Sequence, residues 1–378
     1  MRLKWIDGLK GVASILIFLH HFILAFAPAL YYGSGLESRL FANEGNLAQS
    51  PLLFFVGGHF LVSLFLMLSG LVLTLQVFRI NTLQDLFKKI IERYLRLAIP
   101  VFVISLIVYG MLKYGLFYHN DISKITGSPW LSLFYQAPLS LRYVFETSFY
   151  SVWFMGNDAF STAFWMLTYL FYGSLLTYVV IYVSRNTKPQ LQLIIILCIL
   201  IITILMDSYL VNFGFGMVLG WIIRNKQNIF KHRVITFVIL MIGILFAGYP
   251  QGVVPTNFYE SFLYMNKYLT PSIHIHALSA FLIILSLNSL DPINSLFEYS
   301  YFQKLGRISY AIYLTHIPIL FSLSSILFRY LHNVMQSYPV IILVVFTISL
   351  TLVIFVSSWF NKYVILPIYR ISKKISSE

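Results

Sequence analysis

Charge is scarce in this sequence. Asp, Glu, Lys and Arg together make up 10% of 378 residues, against about 25% in a soluble globular domain, so a water-facing surface of ordinary composition is excluded. Cysteine is nearly absent: Cys198 stands alone inside an apolar run, which rules out a disulfide framework within the chain. No Walker-type glycine loop and no metal-ligand spacing occurs, which argues against a nucleotide hydrolase and leaves no metal site to assign. Repeated halves and low-complexity tracts are missing as well. Basic residues outnumber acidic ones 26 to 13, but they fall between long apolar stretches rather than in solvated patches interleaved with polar residues, so they are not the footprint of a nucleic-acid binder. What is abundant is apolar: 59% hydrophobic residues, 17% aromatic, mean hydropathy +0.81.

Spanning about 30 Å of hydrocarbon takes roughly 20 residues of helix. Apolar stretches near 8–30, 52–78, 95–117, 160–183, 190–206, 208–224, 234–250, 271–290, 306–330 and 337–361 meet or approach that length. The expected fold is therefore an all-α polytopic membrane protein with about ten transmembrane helices, in which the pair around Asp207 is the least sharply separated. No small-residue cleavage site follows the basic, apolar start, so it is expected to be a retained first helix. With the N-terminus inside, only Arg39, Lys113, Lys124, Arg142, Lys267 and Arg329 of the 26 lysines and arginines fall on the outer side. The positive-inside rule thus places both termini in the cytoplasm. The expected organisation is a transmembrane domain over 1–361 and a short basic cytoplasmic tail over 362–378.

The outer segments 31–51, 118–159 and 250–270 are longer than the inner ones, rich in aromatics and nearly balanced in charge. Between Phe134 and Phe160 lie Tyr135, Tyr143, Phe149, Tyr150, Trp153 and Phe154, a group suited to an interfacial aromatic belt or to stacking on a sugar.

Lys10 and His21 are the sharpest pair. Eleven positions at 100° each come to three turns plus roughly 20°, about 16 Å along one stripe of the first helix. A cation at the cytoplasmic edge thus points the same way as an imidazole near mid-membrane. Ionisable residues inside a bilayer are functional-site hypotheses by default, whereas Lys10 alone would read as a snorkelling interfacial lysine and a lone His as a packing residue. His20 diverges from the stripe by about 100°. Asp7 is placed to cap this helix and to pair with Lys10. Arg93 and Arg96, at i and i+3 on the cytoplasmic side of the third span, share a face and have the fork geometry that suits phosphate oxygens or anionic headgroups. His274 and His276, at i and i+2, do not share a helix face.

Four stretches, in order along the chain, carry a family resemblance: Asp7-Gly8-Leu9-Lys10-Gly11 followed by His20-His21; Phe65-Leu66-Met67-Leu68-Ser69-Gly70; Arg93 and Arg96 before Pro100; and Leu305-Gly306-Arg307-Ile308-Ser309-Tyr310-Ala311-Ile312-Tyr313-Leu314-Thr315-His316. The sequence resembles the integral-membrane acyltransferase 3 family, which includes O-antigen and peptidoglycan O-acetyltransferases. It departs from the family pattern at Leu170, within Trp165 to Ser174 where many relatives carry a glutamate, and at Ser63, where many carry an acidic residue. Either Glu146, Asp158 or Glu260 serves in place of the glutamate, or this branch of the family handles an unusual acceptor.

The resemblance implies a multi-pass protein of the bacterial cytoplasmic membrane that moves an acetyl group from cytosolic acetyl-CoA to a hydroxyl of a cell-surface glycan or lipid-linked glycan. Lys10, Arg93 and Arg96 would hold the phosphates of the acyl-CoA donor, and His21 would act as general base or transient acyl carrier. No SGNH-type domain is appended, which points to direct transfer or to a separate partner protein; membrane lipids are the other expected partners. Ser309, Tyr310, Tyr313 and His316 read as helix-contact residues, since hydroxylated side chains also join membrane helices. The competing readings are a transporter of lipid-linked glycans or other small molecules, for which Gly214, Gly216 and Gly220 would interrupt one helix, and a non-catalytic member of the same fold.

Overall fold

In the computed structural model, which describes residues 3–78, 80–135, 140–225 and 232–377, the regular structure is helical throughout. Seven helices are long and apolar enough to cross a membrane: Lys4–Phe26, Gly58–Val77, Leu83–Lys113, Trp165–Ser184, Pro271–Ser289, Ser300–Val334 and Tyr338–Lys373. Three shorter apolar helices, Pro189–Leu205, Val211–Arg224 and Arg233–Ala247, complete a set that matches the ten expected spans. The chain is a polytopic membrane protein. Of the cytoplasmic cations, Arg2, Arg79, Lys226 and Lys231 lie outside the described residues.

Boundaries differ from the expected ones for local reasons. The first helix begins at Lys4, so Asp7 sits inside its first turn rather than at the cap, where its carboxylate complements the positive end of the helix dipole. Pro28, without an N–H, follows the last residue of that helix, Phe26. The third helix starts at Leu83, well before its apolar run, and the last one carries on through a π-turn at Asn361–Ile365 into Leu366–Ser377. Gly214, Gly216 and Gly220 do not interrupt Val211–Arg224, which is continuous.

The described residues form two units. The first comprises Met1–Ala13, Gln49–Ile91 and Tyr169–Arg307. Its centre is the packing of Val211–Arg224 along Gly58–Val77, made close by glycine: a Cβ on Gly216 would stand 2.6 Å from the Met67 carbonyl oxygen, and one on Gly220 2.5 Å from Thr74. Small residues let helix backbones approach where lipid offers no hydrophobic drive to association. The start of the first helix meets Ser300–Arg307 in the same way, since a Cβ on Gly11 would lie 2.6 Å from Gly306 N and one on Gly306 would strike the Asp7 carbonyl. At one turn of this unit Asp207 adopts φ 47°, and its carboxylate accepts from Thr270 N at 2.8 Å, Thr270 Oγ1 at 2.6 Å and His274 Nε2 at 2.8 Å. Burial raises the Asp207 pKa, but the hydrogen bonds from Thr270 and His274 outweigh it and hold the carboxyl below its ordinary value.

The second unit comprises Ser14–Ala48, Glu92–Thr168 and Ile308–Glu378. Phe18, Phe22 and Phe26, four residues apart on one face of the first helix, pack on Phe346 and Phe328 with ring centroids 5.8, 5.2 and 5.2 Å apart. Hydroxyls join its helices: Tyr338 Oη donates to Phe26 O at 2.7 Å, Thr315 and Ser357 share a hydrogen at 2.8 Å, and Ser349 donates to Ser324 at 2.7 Å. Within Ser300–Val334 the α-helix gives way, after Pro318, to a π-turn at Leu320–Ser324. Trp153 and Phe160 of the aromatic segment are buried in this unit, while Phe145, Tyr150 and Phe154 stay exposed, as belt residues would.

Two outcomes test this account. Gly306→Val should cost about 1–3 kcal/mol by overpacking, visible as a lower melting midpoint of the purified protein in detergent; an unchanged midpoint would mean that Asp7 and Gly306 do not approach. A carboxyl whose folded-state pKa is depressed stabilises above its unfolded pKa and loses that contribution as pH falls through the folded value. Asp207→Asn should therefore be less stable than wild type at pH 7, with the two converging as the pH is lowered toward 3. Parallel pH dependence in both proteins would refute the clasp.

Candidate functional site

His21 projects from the first helix toward His316, a helix-contact residue by sequence alone. Their rings lie 4.9 Å apart, with His316 Nε2 3.1 Å from His21 Nδ1 although 295 residues separate them. Carbonyls set the protons. Nδ1 of His316 faces the Ile312 carbonyl oxygen at 2.9 Å, and a carbonyl only accepts, so this nitrogen carries hydrogen and the neutral ring leaves Nε2 bare. That bare Nε2 in turn requires hydrogen on His21 Nδ1, which also faces the Ile17 carbonyl at 3.0 Å. The remaining lone pair is then at His21 Nε2. A relay in which each ring nitrogen is fixed by its neighbour is what keeps a histidine in one tautomer, and here it presents a base on a half-buried side chain.

Around this pair stand Trp130, 5.3 Å from the His21 ring, and His20, whose ring meets His21 edge to face at 4.9 Å and Tyr31 at 5.4 Å. Tyr313 lies 6.1 Å from His316, and its hydroxyl donates to the Ala163 carbonyl. Asp158 interacts electrostatically with Tyr313 and is half-buried; burial pushes its carboxyl pKa up. Glu146 and Glu260 are exposed, so among the three acidic candidates Asp158 alone combines burial with a neighbour of the histidine pair.

Arg93 and Arg96 emerge from the third helix beside Tyr310, which donates to the Leu97 carbonyl at 3.0 Å and interacts electrostatically with Arg93. Arg96 lies 4.1 Å over the Tyr369 ring and pairs with buried Glu92 at 3.3 Å. This carboxylate belongs to no motif in the sequence, although its i, i+4 spacing to Arg96 is legible there. Lys10 belongs to the other unit and is half-buried on the first helix.

The positions that depart from the family pattern also lie in that first unit. Leu170 is buried, as is Ser63, whose hydroxyl has no hydrogen-bond partner among the described residues. One turn before Ser63, His59 Nδ1 meets Tyr209 Oη at 2.6 Å, and its backbone N–H donates to Gln251 Oε1 at 3.2 Å. His276 places Nε2 3.2 Å from the Tyr249 carbonyl. His274 and His276 thus serve different partners, Asp207 and Tyr249, as their i, i+2 spacing anticipates.

A family model described as an acyltransferase domain matches residues 3–358. No curated protein and no solved structure matches the chain.

The Glu92–Arg96 pair makes a direct prediction for anion binding. Charge-assisted hydrogen bonds contribute about 1.5–3 kcal/mol, so Arg96→Gln should weaken pyrophosphate binding about tenfold or more by calorimetry. Glu92→Gln should tighten it by freeing the guanidinium. Equal affinities for all three proteins would remove Arg96 from the anion site.

Proposed function

Because the chain belongs to the acyltransferase 3 family, we propose that it transfers an acetyl group from cytosolic acetyl-CoA to a hydroxyl of a cell-surface glycan, with His21 as the base, in a bacterial cytoplasmic membrane. The observation that carries this reading is the hydrogen-bonded order Ile312 carbonyl, His316, His21, which leaves His21 Nε2 as a free lone pair. Nucleophile activation needs such a base, itself oriented by a third group.

In the proposed reaction Nε2 takes the proton of the acceptor hydroxyl as that oxygen bonds to the thioester carbonyl carbon. The carbon–sulfur bond then breaks, and the proton held at Nε2 passes to the departing thiolate, so acyl group and proton exchange places and the histidine is regenerated. While His21 is an imidazolium, its Nδ1 proton is shared with His316 Nε2, which spreads the charge over two rings. His316 is thus a positioning residue. Arg93 and Arg96 would take phosphate oxygens of the donor, with Lys10 added because it shares the His21 stripe. Asp158 is the acidic residue we assign in place of the family glutamate, polarising Tyr313 beside the pair.

The test is release of free CoA from acetyl-CoA by the purified protein in lipid, with and without a surface-glycan extract. His21→Ala should abolish glycan-dependent release while the protein stays folded. His316→Ala should lower kcat by about 10²-fold or more, the range of general acid–base assistance, with donor and acceptor KM unchanged. Full release by folded His21→Ala would overturn the assignment, and a His316 variant that altered only stability would reduce that residue to packing.

A further inference from the structure

The outer segment next to His21 contains two buried polar atoms with nothing to bond. Nδ1 of His119 and the hydroxyl of Tyr135 have no hydrogen-bond partner among the described residues, and His119 is 3% exposed. Native structures leave few such atoms, and each asks for a water, an ion or a ligand. The two belong together, since the rings lie 5.4 Å apart, edge to face.

Their surroundings tie them to the histidine pair through stacked rings. Trp130 lies against His21 at 5.3 Å and against Phe321 at 5.2 Å. Phe321, on the π-turn that follows His316, stacks nearly parallel on His119 at 4.7 Å, and Tyr118 N–H donates to the Phe321 carbonyl at 2.9 Å. Single π-turns inside α-helices concentrate at functional sites. Tyr135 also sits at φ 64°, a left-handed conformation that costs a side-chain-bearing residue free energy and persists only where its surroundings hold it. Phe117 does so, stacked on the tyrosine ring at 4.5 Å.

The two open atoms define the chemistry of what fits. Nε2 of His119 faces the Phe134 carbonyl at 3.4 Å, so that nitrogen carries the hydrogen and Nδ1 of the neutral ring is an acceptor in need of a donor. Burial lowers the His119 pKa and raises that of Tyr135, keeping both neutral. The Tyr135 hydroxyl, already protonated, is a donor in need of an acceptor. A group that donates and accepts at one oxygen satisfies both: an alcohol, or in its absence a water. A phosphate or carboxylate would leave Nδ1 unmet, and an ammonium would leave the tyrosine hydrogen unmet. Aromatic faces with a few convergent polar groups are also the usual lining of a small-molecule site.

We propose that His119 Nδ1 and Tyr135 Oη form an acceptor subsite that grips one hydroxyl of a neutral sugar, beside the histidine pair that acts on another. The proposal rests on the acyltransferase reading for its purpose but not for its chemistry, so binding is tested apart from turnover. The probe is a set of methyl glycosides of glucose, galactose, mannose and N-acetylglucosamine, titrated by calorimetry into the full chain in lipid nanodiscs carrying His21→Ala. Tyr135→Phe and His119→Phe keep the rings and their stacking while deleting the open atoms.

At least one glycoside should bind, and each variant should weaken it about tenfold or more, with the acceptor KM rising in the same proportion in a His21-intact enzyme and the donor KM unmoved. Binding that both variants leave unchanged, or no binding by any glycoside, would overturn the subsite and leave the two atoms to an ordered water. Glycoside binding that needs both atoms, together with no CoA release by the His21-intact protein, would uphold the subsite and sink the acyltransferase reading. CoA release that depends on His21 while acceptor KM ignores both variants would do the reverse.

Discussion

Hydrocarbon offers no hydrogen bonds, so every polar group carried into it must find a partner in the protein. Several hydroxyls in the long helices obey by folding back on their own backbone: Thr74 donates to Gly70 O, Ser174 to Leu170 O, Thr177 to Gly173 O and Ser184 to Val180 O, at 2.6–2.8 Å. A histidine has two ring nitrogens and cannot satisfy both so cheaply. His316 uses one on its own helix and must spend the other across space, which brings it to His21. The same constraint that holds the helices together therefore brings the two histidines into contact.

The helices were legible because burial in lipid demands the same apolar length everywhere. Ten runs of the right composition correspond to ten helices, and the errors lie at ends that leave the apolar run. Leu83–Tyr94 precedes the apolar part of the third helix and carries Lys88, Lys89 and Arg93, so a hydropathy criterion passes over it although the backbone is helical. The basic stretch 362–378 is passed over for the same reason, although its backbone is helical as far as Ser377. The three glycines of Val211–Arg224 resemble a break on paper, because glycine lowers helix propensity, but Gly216 and Gly220 against Met67 and Thr74, and Gly214 against Leu200, are what lets neighbouring helices approach.

The site was legible only where its parts lie on one helix. Lys10 and His21 share a stripe that arithmetic reveals, and Arg93 and Arg96 share a face. His316 offers no local sign of its partner, yet the rule that marked His21, an ionisable side chain within an apolar span, applies to it equally and was set aside for its neighbours' hydroxyls. His119 gives no signal in the sequence, and Tyr135 stands there only as one ring of an aromatic segment. Their significance is a pair of unmet hydrogen bonds, and an unmet bond is a property of three dimensions.

The π-turn at Leu320–Ser324 carries a consequence for register. From His316 to Phe328 is twelve residues, which in unbroken α-helix would leave the two side chains about 120° apart. A π-turn absorbs one extra residue, bringing the difference down to about 20°, so that one helix shows the first helix both an imidazole for His21 and a phenyl ring for Phe26. Loss of a single residue there would leave a perfectly good helix and a perfectly good span. It would also turn everything beyond Ser324 by roughly a quarter of a circle, so that the imidazole and the phenyl ring would no longer face the first helix together.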